Sequence, residues 1–97
     1  MPRPIKQRRI LFDPNVVYFK PRAVPLSLLK EVDLSLGELE ALRLCDLEGL
    51  SQLMAAKKMR ISQSTLGRIL AAAHKKVAEA LIKGKAIKIE RLAVSSL

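Results

Sequence analysis

The chain has no tryptophan, one tyrosine, two phenylalanines, one cysteine and one histidine in its 97 residues. Each scarcity excludes something. The lone Cys45 rules out an internal disulfide and a cysteine metal site. It sits in an apolar stretch and is read as a core residue in a reducing interior. The lone His74 has no imidazole or thiol near it in sequence. A surface position on a helix flank suits it better than a ligand role, and no Ser-His-Asp set can be built around it. No glycine-rich phosphate loop is present. Three aromatic side chains make a thin platform for the base stacking that RNA readers use. There is no N-terminal apolar run of signal-peptide length, and none of about 18 residues that would cross a membrane. The expectation is a cytoplasmic protein that is not an enzyme, without metal or cofactor.

What is present is equally uneven. Apolar residues make up 49%, enough for a small core, and they are Leu, Ile, Val, Ala and Met, which favours helices. Net charge is +9 with pI about 10.2, a balance that calls for a polyanionic partner or an anionic membrane surface. Residues 1–22 hold six bases and one acid, 23–50 two bases and six acids, and 51–97 ten bases and two acids. Basic ends around an acidic middle imply an oriented electrostatic face.

One domain over residues 1–97 is expected. Residues 1–12 read as a basic arm, with Arg3, Lys6, Arg8 and Arg9 and two prolines. Two readings of it stand open: a solubilising tail, or a basic arm that tracks the DNA minor groove. Asp13-Pro14-Asn15 signals a turn, and 16–20 (VVYFK) a short strand. Residues 26–34 are ambiguous between a helical turn and an extended segment. A helical core over 35–83 follows. Ser35 and Glu38 have capping-box spacing, and the helix they open runs to about Glu48, with Gly49 as its stop. Leu36, Leu39, Leu42 and Leu50 share its apolar face, widened by Leu44 and Leu47. Ser51 caps a short helix, QLMAAKKM. Ser62 caps a long one ending near Lys83 at Gly84, with an apolar stripe of Leu66, Ile69, Leu70, Ala73, Val77, Ala80 and Leu81. Residues 86–92 alternate and read as a strand, able to pair with 16–20 in the same chain or across a dimer. Lys83, Lys85 and Lys88 are read as a solvated face.

Only Arg60 and Ile61 separate the last two helices, which forces a sharp crossing. That is the sequence form of a helix-turn-helix over 51–83. Ala55 and Ala56 are small where the helices approach, and Met59, Ile61, Leu66 and Ile69 would plug the angle. With Leu66 facing inward, Ser64, Arg68, Ala71 and Lys75 face outward, with Gln63 and Gly67 on one flank. So shallow a helix end suits close approach to base edges in a major groove about 12 Å wide. Arg68 matches guanine O6 and N7, and Gln63 matches adenine N6 and N7. Ser64 and Thr65 could bond a base or a phosphate, and Lys57, Lys58, Lys75 and Lys76 would neutralise phosphates.

The stretches MPRP, YFKP, ELEALRL, DLEGL, the AA pair, IS, T-x-GRIL and KKVAEAL-x-x-GKA-x-x-IE resemble a family of small bacterial and archaeal predicted DNA-binding proteins, an uncharacterised family with a domain of unknown function. The resemblance runs from residue 1 to about 91. The 51–83 unit is also similar, more loosely, to region four of sigma-70-type transcription factors, where this helix reads the −35 promoter element. That similarity puts Gln63, Ser64, Gly67 and Arg68 at base-facing positions. The chain departs from the family twice. Cysteines common before the YFKP segment are replaced by Ile10-Leu11-Phe12-Asp13. The glycine usual in the turn is Arg60, which costs of the order of 1 kcal/mol at positive φ; either the turn is slightly strained or Arg60 repays the cost by meeting a phosphate.

The sequence therefore predicts a mainly α fold with a helix-turn-helix and a minor two-stranded β element from the N- and C-terminal segments. It predicts sequence-specific binding of double-stranded DNA as a transcription regulator, and a homodimer, because one short helix reads few bases. Base-facing candidates are Gln63, Ser64, Thr65, Gly67 and Arg68. Backbone candidates are Arg8, Arg9, Lys57, Lys58, Arg60, Ser62, Lys75 and Lys76. The alternatives are a sigma-like adaptor that docks on RNA polymerase or another protein, and RNA binding.

Overall fold

A computed structural model, which describes residues 9–11, 14 and 16–90, has three helices and a three-stranded sheet, with the third helix packed on the sheet and the other two packed on that helix. The elements run β1 (Tyr18–Phe19), a 3-10 turn (Leu26–Leu28), β2 (Glu31–Leu34), α1 (Leu36–Leu42) continued by a π-helical turn (Arg43–Leu47), α2 (Gln52–Met59), α3 (Gln63–Lys83) and β3 (Ala86–Ile89). β3 is the central strand. It pairs antiparallel with β1, Phe19 opposite Ile87, and parallel with β2, Val32 opposite Ile87. The expected pairing of 16–20 with 86–92 thus forms within one chain. The expected two-stranded element gains a third strand from the ambiguous segment 26–34. A parallel pair needs a long crossover, and here the whole helical unit supplies it.

The helix starts follow from local chemistry. The Ser35 hydroxyl accepts from the Glu38 N–H at 3.1 Å, and the Glu38 carboxylate accepts from the Ser35 N–H at 2.9 Å, the reciprocal arrangement that satisfies two terminal donors. The Glu90 carboxylate, just past β3, accepts from the Leu36 N–H at 3.0 Å, tying sheet to helix. Ser51 and Ser62 cap α2 and α3. The first helix stops as expected before Gly49, which takes φ +76°, although its last turn is π-helical rather than α.

α3 spans two apolar clusters. Toward its start, Leu66 and Leu70 pack with Ala41, Leu44, Ala55, Ala56 and Met59, with Cys45, Leu50, Ile61 and Ile69 at the edge. Farther along, Ala73 packs with Leu34, Leu36 and Ile89. Two leucines expected in the core are not there: Leu47 is 80% and Leu81 76% exposed. The π turn carries Leu47 past the apolar face, and Leu81 lies at the edge of a stripe whose centre, through Ala73 and Ala80, meets the sheet and α1.

A buried carboxylate stitches the chain together. Glu40 is fully buried and takes both arms of Arg43, at 2.8 and 3.0 Å, as a bidentate pair. It also accepts the Leu11 N–H at 3.1 Å. Arg43 reaches on to Glu48. Leu66 has no exposed surface, so Leu66→Ala leaves a cavity at the α2–α3 angle. It should lower unfolding free energy by about 3 kcal/mol, measured by urea denaturation.

Candidate nucleic-acid interface

The link between α2 and α3 is built by hydrogen bonds that only a left-handed residue permits. Arg60 has φ 58° and ψ 44°, the only non-glycine residue at positive φ among the described residues. The Arg60 N–H donates to Lys57 O at 3.2 Å and the Ile61 N–H to Ala56 O at 3.1 Å, the double closure that ends helices at a left-handed residue. Ala55 and Ala56 are buried where the two helices meet, and Met59 and Leu66 fill the angle. Ile61 and Ile69 cover its edge. The Arg9 N–H donates to Met59 O at 3.0 Å, so the first described residue of the basic arm is fastened to this corner, with Arg9 exposed. Arg8 lies outside the described residues.

The first turn of α3 carries a chain of hydroxyls. Ser62 Oγ accepts from the Thr65 N–H at 3.1 Å and donates to Thr65 Oγ1 at 2.8 Å. Ser64 Oγ lies 3.2 Å from Ser62 Oγ. Arg68 Nη2 donates to Thr65 Oγ1 at 3.4 Å. Thr65 is half-buried, so its hydroxyl braces Arg68 rather than facing outward. Gln63, Ser64, Arg68, Ala71 and Lys75 are exposed, as are Lys57, Lys58 and Arg60. Gly67 sits on the flank, half-buried. Lys76 differs from its expected role: its ammonium donates to the Glu38 carboxylate at 2.9 Å, turned toward α1.

Gly67 has room for a side chain. A Cβ there would meet one atom, Gln52 Oε1, at 3.4 Å, an ordinary contact with the end of a flexible group. Gln52, the exposed first residue of α2, was not among the sequence candidates. Its place beside Gly67 depends on how two helices cross, which spacing along one helix does not reveal. Farther along this flank His74 Nε2 lies 2.6 Å from Asp46 Oδ2, a pair joining α3 to the π turn. His74 is about half exposed, as expected of a surface residue. Burial, with Asp46 adding to it, pushes the Cys45 thiol above its ordinary pKa, which favours the unreactive protonated form.

Residues 1–93 match a family described as "Protein of unknown function DUF134". The protein belongs to the DUF134 family. Its relatives include a UPF0251 protein of Desulfosudis oleivorans, 53% identical over 90 residues, which cover 93% of this chain and 65% of the relative. UPF0251 protein TTE1845 of Caldanaerobacter subterraneus is 53% identical over 93% of this chain and 76% of its own length. UPF0251 protein DET0218 of Dehalococcoides mccartyi is 58% identical over 93% and 77%. This DUF134 chain thus spans about two thirds to three quarters of the length of these relatives. No solved structure matches it. Among the described residues no helix is long and apolar enough to cross a membrane.

The Ser62 hydroxyl carries the cap and holds Thr65. Ser62→Ala should therefore lower stability by about 1 kcal/mol, and should speed amide hydrogen exchange at Ser64 and Thr65 more than at Ala73.

Proposed function

We propose that this DUF134 protein binds double-stranded DNA sequence-specifically through a helix-turn-helix formed by α2 and α3, as a cytoplasmic transcription regulator. One observation carries the reading. At two positions the chain holds the residue that is worse for its own fold. Arg60 occupies a left-handed turn where glycine would be easier by about 1 kcal/mol. Gly67 occupies a helix interior where alanine would fit and would be better by about 1 kcal/mol. The first departure places an exposed guanidinium at the corner, and the second removes bulk from the flank of α3. Residues that defy local preference without an internal reason mark functional surfaces. A polyanion that approaches closely explains both.

Around that pair the roles divide by direction. Arg68 and Ser64 on the outward line, with Gln63 on the flank, address base edges. Thr65 orients Arg68. Lys57, Lys58, Arg60, Lys75 and Arg9 address phosphates. Two copies on a two-fold symmetric site would double the bases read. A second reading, docking on a protein such as RNA polymerase, is favoured by the exposed Leu26, Leu28, Leu81 and Ile82. These side chains lie away from the α3 start and leave it free. RNA binding has less behind it, since Tyr18 is engaged by Glu31 at 2.6 Å and Phe19 is the remaining described aromatic.

Selection of duplexes from a random pool tests the reading. Arg68→Ala should relax preference at one base position, whereas Lys75→Ala should weaken all sequences alike and reduce the salt slope by about one. Arg60→Gly and Gly67→Ala should each melt higher than the wild type, by about 1 kcal/mol of stability, yet bind the selected duplex more weakly. If both bound as well as the wild type, the reading would fail.

A further inference from the structure

The sequence candidates all lie on α3, at the turn, on the lysines of α2 or on the arm. The structure adds a residue from the opposite end of α2. We propose that Gln52 is a contact to the sugar–phosphate backbone on one wall of the major groove, a claim that rests on the duplex-binding reading above.

Gly67 leaves the flank of α3 bare beside the start of α2. The Gln52 amide lies against the flank of α3, its Oε1 3.4 Å from the place of a Gly67 Cβ. Gln52 is nonetheless exposed, so it is seated there without being covered. Its backbone is fixed by the neighbouring cap, in which the Ser51 hydroxyl accepts the Met54 N–H at 3.1 Å. The result is a polar flank shared by two helices, with Gln52 of α2 beside Gly67 of α3 and Gln63 one turn before Gly67.

Direction then decides what this flank meets. A helix lying in the major groove turns its outward centre to base edges and its flanks to the two groove walls, which are phosphate backbones. Ser64 and Arg68 hold the centre. Gln52 lies on the flank and belongs to the helix behind it, so a phosphate oxygen is the group in reach. A side-chain amide has two N–H donors for such an oxygen and no charge. Gln52 would fix the register of the protein on the duplex without releasing a counterion. Farther along the same flank Asp46 is engaged by His74, and that carboxylate limits how far a phosphate track can extend.

Binding of the full chain to its selected duplex and to unrelated duplexes, each over a range of salt, tests this. Gln52→Ala should weaken every duplex by about 5-fold with the salt slope unchanged, because a neutral hydrogen bond is lost. Gln52→Glu should weaken every duplex by about 50-fold through repulsion from the phosphate. A carboxylate in the first turn of a helix is favourable for folding, so Gln52→Glu should melt no lower than the wild type. Gln52→Lys, which does not depend on that comparison, should bind more tightly with a steeper slope. Wild-type-like binding by both charged variants would overturn the inference while leaving the wider reading intact. A change of base preference in Gln52→Ala would also overturn it, in favour of base reading. If the wild type bound no duplex at all, the wider reading would fall and this inference with it.

Discussion

Met59 and Leu66 meet inside the angle between α2 and α3, and neither exposes any surface. The rest of the molecule follows from that plug. It is possible because Ala55 and Ala56 let the helices come close, and because Arg60 turns the chain in a left-handed step. Once the plug is set, the rotation of α3 about its axis is fixed. Leu66, Leu70, Ala73 and Ala80 face inward, and Ser64, Arg68, Ala71 and Lys75 face out. The sheet secures the far part of the same helix, through Ala73 against Leu34 and Ile89. A rod held over its length presents its outer face with little freedom, which any reader of a periodic surface requires.

The distribution of charge complements this geometry. The acidic middle of the sequence does not cancel the basic field, because its carboxylates are largely engaged within the fold. Glu40 is buried against Arg43, Glu38 serves Ser35 and Lys76, Glu48 meets Arg43, and Asp46 meets His74. The bases on α2, at the turn and on the outer line of α3 point to solvent instead. These acids are engaged by partners within the chain while those bases face outward, so an extreme net charge becomes a directed one. The proposed function depends on that direction more than on the total.

Much of this was legible in the sequence, and the limits have physical causes. The three serine caps, the glycine stops and the strain at Arg60 were readable because each is a local bargain between one side chain and a few backbone groups. The plug residues were readable because a two-residue link leaves the apolar side chains on either side of it facing into one angle. β2 was not, since Glu31–Leu34 becomes a strand only by pairing with β3, more than fifty residues later. Leu47 and Leu81 were misplaced because an apolar stripe predicts a face but not how much of it a partner covers. Lys76 and His74 found acids 38 and 28 residues away, contacts that no spacing rule encodes. The place of Gln52 is of the same kind, since its neighbourhood is made by a helix crossing.

The central claim is that the start of α3, with the corner before it, is the surface that meets a duplex. Mapping amide chemical shifts of the isotope-labelled chain during titration with a selected duplex addresses it most directly. The account predicts the largest changes at Arg60, Ser62–Arg68 and Lys75, with Leu81–Lys83 and the three strands unmoved. Changes confined to the sheet and the far end of α3, with the corner silent, would contradict it.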